Sequence, residues 1–110
     1  MFSFMRKNVA DLDSNQVHAG LKSGQMVLVD VREPNEHRAE RIEGAVNLPL
    51  SRFNPAALPA ANGKTVVLHC AGGVRSAQAL DLCRKSGAEV KHHLKGGINA
   101  WKAAGLPTRR

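Results

Sequence analysis

The chain has no tyrosine, one tryptophan and three phenylalanines in 110 residues, so it lacks a series of rings on which successive bases could stack. Its basic residues are scattered from Arg6 to Arg110 instead of gathering on one evident element, and nucleic acid is not an expected partner. Acidic residues are also scarce: nine Asp and Glu stand against sixteen Lys and Arg, a formal net charge of +7. A field of that sign favours small anionic substrates or an acidic protein partner, although a merely solvated basic surface accounts for it equally well. Long apolar runs are missing too. The longest are of strand length, and the mean hydropathy is −0.28, so neither a membrane span nor disorder is expected. The opening MFSFMRK has the wrong order and too short an apolar run for a secretory leader, and the chain reads as cytoplasmic. There are only two cysteines, Cys70 and Cys83. Without an export signal they are not a disulfide framework, and their separation fits no C-x-x-C redox or zinc pattern, so both are expected as reduced thiols with no metal. A chain of this length suits one domain, residues 1–110, with a single core, and it holds no internal repeat.

What is present is an alternation of strand-like and helix-like stretches. Residues 1–10 hold a few apolar positions that suit a short first strand or an ordered arm. Asp13 or Ser14 can cap a helix through Gln16, Val17, Ala19 and Leu21, ended by Gly24. MVLVDV, residues 26–31, is apolar at nearly every position and reads as a central parallel strand buried on both faces. Pro34 suits the first turn of a short charged helix, NEHRAER, and residues 45–48 form a third strand stopped by Pro49. Residues 51–62 read as a loop with a helical turn or two, residues 65–69 as a fourth strand and residues 89–94 as a fifth. Gly96-Gly97 then leads into a last short helix bearing Trp101, ended by Gly105 and Pro107. The expected class is α/β, a three-layer sandwich in which a central, mainly parallel five-stranded sheet carries helices on both faces.

The fourth strand ends in Cys70 and passes through Ala71, Gly72, Gly73 and Val74 to Arg75 and Ser76 at the start of a helix ended by Gly87. Such a junction aims backbone N–H groups and the positive end of the helix dipole at the sulfur. The paired glycines let the backbone wrap closely, Arg75 supplies a fixed positive charge, and Ser76 supplies a hydroxyl. Thiols so placed ionise at about pH 3.5–7.5, and Cys70 is therefore expected to be largely thiolate at neutral pH. The small side chains around it imply an open, unselective pocket. A buried cysteine ending a strand before an ordinary glycine turn is the alternative.

Three stretches, LVDVREPNEHRAERIEGAVNLP, HCAGGVRSAQAL and LKGGINAWKAAGLP, together resemble the rhodanese family, in family order and from about Val27 to Pro107. The resemblance implies an α/β sandwich and a Cys70 that carries sulfur as a persulfide, with no cofactor. It implies further that sulfane sulfur is taken from an anionic donor such as thiosulfate and passed to cyanide or a thiol, with residues 71–76 as the substrate-binding cradle. Cysteine phosphatases and arsenate reductases of related architecture look like a pattern with five residues between Cys and Arg. Only four, Ala71 to Val74, intervene here, and the shorter ring favours sulfur. The other reading is a regulatory rhodanese module that binds a protein partner without catalysis. The chain departs from the family pattern at Glu40 to Ala45 and at His37, outside the Cys loop.

Asp30 and Arg32 belong to the matching DVRE stretch, and both could reach the Cys loop from the neighbouring strand end as supporting residues. The favoured reading is structural: Asp30 accepts hydrogen bonds from turn backbone, and Arg32 pairs with Glu36 or Glu33. Cys83 falls at core spacing with Ser76, Ala79 and Leu80. His69 is expected to face away from Cys70 across the sheet, and no general base is required. His92 and His93 have no acidic or cysteine partners at metal spacing nearby in the sequence.

Overall fold

The computed structural model describes residues 10–110. Five strands, β1 (Asp11–Leu12), β2 (Met26–Asp30), β3 (Val46–Asn47), β4 (Thr65–His69) and β5 (His92–Leu94), form one sheet in the order β1-β5-β4-β2-β3. Every neighbouring pair is parallel, so the sheet is wholly parallel, where the sequence promised a mainly parallel one. The centre is β4, flanked by β2 in register from Met26↔Thr65 to Asp30↔His69. Four helices, α1 (Ser14–Lys22), α2 (Pro34–Ala39), α3 (Val74–Ser86) and α4 (Gly97–Ala103), connect the strands or follow them. The expected first strand on residues 1–10 falls, apart from Ala10, outside the described residues, and β1 begins at Asp11. The fifth strand is shorter than residues 89–94, and two 3-10 turns at Leu50–Arg52 and Pro55–Ala57 occupy the loop before β4.

Two apolar clusters lie on the two faces of the sheet. On one, Val29, Val31, Val66, Leu68 and Cys70 meet Ala79 and Cys83 of α3. On the other, Leu28, Val67 and Leu94 meet Val17 of α1 and Ile98 and Trp101 of α4. Strand side chains alternate between faces, so the run LHC at the end of β4 sends Leu68 and Cys70 to the α3 side and His69 to the other. Asp13 caps α1 by accepting from the Gln16 amide at 2.8 Å, while the Gln16 side chain accepts from the Asp13 amide at 2.9 Å. Gly87, at φ +80°, ends α3 in the left-handed conformation that glycine adopts freely. No helix among the described residues is long and apolar enough to cross a membrane.

Candidate active site

The Cys70 loop lies at the carboxyl end of the central strand, where parallel α/β sheets gather their ligands. Gly73, at φ +111°, turns the chain into α3, a conformation that a Cβ would strain. The turn brings the Gly73 amide to 3.1 Å and the Ser76 amide to 3.3 Å from Cys70 Sγ, both donating to it, with Ser76 Oγ at 3.6 Å. Burial works against ionisation of this thiol. The Ser76 hydroxyl and the amides of Ser76, Gly73 and Gly72 outweigh it and hold the pKa below the ordinary thiol range. From the other side, the start of α4 grips the loop: the Ile98 amide donates to the Cys70 carbonyl at 2.9 Å and the Asn99 amide to the Ala71 carbonyl at 3.1 Å. With its carbonyls so occupied, the loop keeps its amides on the sulfur side.

One expectation about this loop needs correction. Cys70 is only 1% exposed and packs in the α3-side cluster, so the sulfur does not sit in an open cup; the loop turns its amides inward to a buried atom. The loop meets solvent at Gly72, where a Cβ would meet nothing within 4 Å, and at Val74, 72% exposed. Arg75 supplies its fixed positive charge from within an ion pair. Its guanidinium holds the Glu36 carboxylate of α2 in two bonds, of 2.7 and 3.0 Å. That bidentate pair, ahead of the influence of the nearby Cys70 sulfur, raises the Arg75 pKa further and holds Glu36 below the usual carboxylate range.

Asp30 and Arg32 form a separate buried cluster next to the loop. Arg32 does not pair with Glu33 or Glu36 as the sequence suggested. It returns to Asp30, Nε donating to Oδ1 at 3.0 Å and Nη2 to Oδ2 at 2.7 Å, and Nη2 also reaches the Glu40 carbonyl at 2.7 Å. Glu36 is occupied by Arg75, and Glu33 caps α2 and accepts from the Ser51 hydroxyl at 2.6 Å. Asp30 accepts from the Arg32 amide, as expected of a turn acceptor, and meets His37 Nδ1 at 2.8 Å. Burial raises its pKa, but Arg32, His69 and His37 together lower it further than burial raises it. His69 is fully buried, with Nε2 3.8 Å from Asp30 Oδ1, and burial pushes its pKa down. Cys83 is buried and its thiol is pushed up by burial, in keeping with a core role.

The structure adds two residues that sequence reasoning did not find. His93 Nδ1 lies 2.7 Å from Ser76 Oγ, and its Nε2 lies 2.8 Å from Asp11 Oδ1. The only signal available was parity: register pairs Asp11 with His93, and it pairs His93 with Leu68, which shares the Cys70 face. No cluster of three or more His, Cys, Asp or Glu among the described residues could hold a metal ion.

A protein of Synechocystis with no described function is 55% identical over 83 residues, a match spanning 76% of this chain and 46% of that protein. The probable adenylyltransferase/sulfurtransferase MoeZ of Mycobacterium tuberculosis is 44% identical over 86 residues, which cover 74% of this chain and 21% of that protein. The chain thus spans half or less of the length of these relatives. Among solved structures, a rhodanese-related protein of Thermoplasma volcanium superposes with a TM-score of 0.76 at 28% identity, covering 90% of this chain and 96% of that one. A family model, the rhodanese-like domain, matches residues 13–104, and with a wholly parallel sheet that delivers Cys70 into a ring of amides, the chain belongs to the rhodanese-like domain family.

Proposed function

We propose that this chain is a sulfurtransferase that moves sulfane sulfur from an anionic donor such as thiosulfate to cyanide or a thiol through a persulfide on Cys70. The observation that carries the reading is the pair of backbone N–H bonds from Gly73 and Ser76 to a single sulfur, which hold its pKa down although it is buried. The sulfurtransferase named in the MoeZ relative supports it. In the first half-reaction the Cys70 thiolate attacks the outer sulfur of thiosulfate. A new S–S bond forms, the old one breaks, and its electron pair leaves with sulfite. The persulfide keeps one negative charge, held by the same amides, much as an oxyanion hole holds oxygen. In the second half-reaction the acceptor attacks the outer sulfur, and the S–S electron pair returns to Cys70. The space beside Gly72 receives the donor, and Arg75, tethered by Glu36, places positive charge near the incoming anion.

The test is thiocyanate formation from thiosulfate and cyanide by the purified protein and by Cys70→Ser. The wild type is expected to turn over with double-displacement kinetics and Cys70→Ser to show no rate above background. Retained activity in Cys70→Ser would overturn the proposal, and a folded wild type inert to thiosulfate and other sulfane donors would point to a binding module.

A further inference from the structure

The hydrogen bonds at Cys70 do not end at Ser76. Ser76 Oγ stands 3.6 Å from Cys70 Sγ and 2.7 Å from His93 Nδ1, and Nε2 of the same ring stands 2.8 Å from Asp11 Oδ1. A line of four side chains therefore runs from the buried sulfur through α3 and β5 to β1 at the sheet edge. We infer that His93, held by Asp11, takes up the proton of the Cys70 thiol through the hydroxyl of Ser76, which makes His93 and Asp11 positioning residues of the sulfur-transfer site; the inference rests on the function proposed above.

The serine hydroxyl has one proton to give and three acceptors near it: the Gly73 carbonyl at 3.2 Å, His93 Nδ1 and Cys70 Sγ. While the thiol is protonated, S–H donates to Ser76 Oγ, the hydroxyl donates to Nδ1, and Nε2–H donates to Asp11. Ionisation shifts two protons along this line. The S–H bond breaks as an O–H bond forms, and the original O–H bond breaks as Nδ1–H forms. Serine emerges unchanged and nothing is oxidised. The hydroxyl now donates to the thiolate, and the imidazolium lies between Ser76 and the Asp11 carboxylate. The burial that argued against an open pocket is the reason for such a relay. Cys70 is 1% exposed, whereas the His93 side chain is 12% and the Asp11 side chain 32% exposed, so the relay links a nearly buried sulfur to groups more open to solvent.

Among the described residues, the groups bonded to the His93 ring come from β1 and α3. Asp11 comes from β1, Ser76 from α3 and Cys70 from the loop, and its register partner on β4 is the apolar Leu68. His69 and His92, its near neighbours on β4 and β5, alternate to the opposite face of the sheet.

The experiment uses the full chain and follows iodoacetamide alkylation of Cys70 against pH, with peptide mass spectrometry separating Cys70 from Cys83. In His93→Gln the alkylation midpoint is expected to rise by about one pH unit, because the thiolate loses its cation, and in Asp11→Asn to rise by less. A midpoint that does not move in folded His93→Gln overturns the inference. Should His93→Gln fail to fold, an unmoved midpoint in folded Asp11→Asn overturns it instead. Neither readout requires turnover. Loss of the sulfurtransferase reading would appear as wild-type protein inert to thiosulfate, whatever the two titrations show.

Discussion

At Cys70 two opposing influences meet in one atom: burial favours the thiol, and the amides of Gly73 and Ser76 with the Ser76 hydroxyl favour the thiolate. Because the hydrogen bonds prevail, the alkylation midpoint should lie below the usual value of about 8.5, and thiosulfate turnover should persist at neutral pH and fall as pH drops through the lowered pKa. The same sign governs stability. The unfolded chain binds the Cys70 proton more readily, so this thiol's contribution is complete above the ordinary thiol pKa and is lost as pH falls through the folded value. Asp30 and Arg32 test a different balance. Replacing Arg32 by Met leaves the Asp30 carboxylate buried without its bidentate partner, a change that typically costs about 3–5 kcal/mol, measurable by urea unfolding at neutral pH. A loss under about 1 kcal/mol would mean that Asp30 is held by His37 and the Arg32 amide instead.

Among the elements, α4 contributes most to the site without presenting a side chain to the sulfur. Its first turn donates to the Cys70 and Ala71 carbonyls, and this approach is open only because residue 97 has no side chain: a Cβ there would lie 2.3 Å from the Cys70 carbonyl oxygen and 2.5 Å from that of Ala71. Gly97 is also at φ +61°. Gly97→Ala is therefore expected to cost about 1–3 kcal/mol in backbone strain alone and, by pushing the loop off α4, to raise the Cys70 alkylation midpoint. A variant with wild-type midpoint and stability would show that the grip of α4 does not set the loop. The strand, the paired glycines and the start of α3 were legible in the sequence because each rests on residues next to one another: β-branched positions 65–67, Gly72-Gly73, and the helical spacing after Val74. The pairings of Arg75 with Glu36, 39 residues apart, and of His93 with Asp11, 82 apart, were not. They depend on the strand order that sets β2 beside β4 and β1 beside β5, which no local pattern encodes. The Arg32–Asp30 pair is hidden for the same reason, since Glu36, the apparent partner of Arg32, is claimed by an arginine from another element. The depth of Cys70 was hidden as well: small neighbours suggest openness, but strand parity sends the sulfur into the α3 face.

For the molecule as a whole, five parallel strands bring their carboxyl ends together, and the formal net charge of +7 gives the protein an overall positive field. Such a field concentrates anions and weakens with added salt. KM for thiosulfate should therefore rise several-fold between roughly 20 and 300 mM salt, while kcat, set by bond exchange at the sheltered sulfur, should change little. A salt-independent KM would mean that the surface charge serves a protein partner or solvation instead. Persulfide formation on Cys70, with the inward-facing amides holding the second sulfur, is the step proposed for this site. It is tested most directly by mass spectrometry of the protein after incubation with thiosulfate: the expected result is a gain of one sulfur atom on the peptide bearing Cys70, removed by cyanide or dithiothreitol and missing in Cys70→Ser, whereas an unchanged mass, or a gain confined to Cys83, would contradict it.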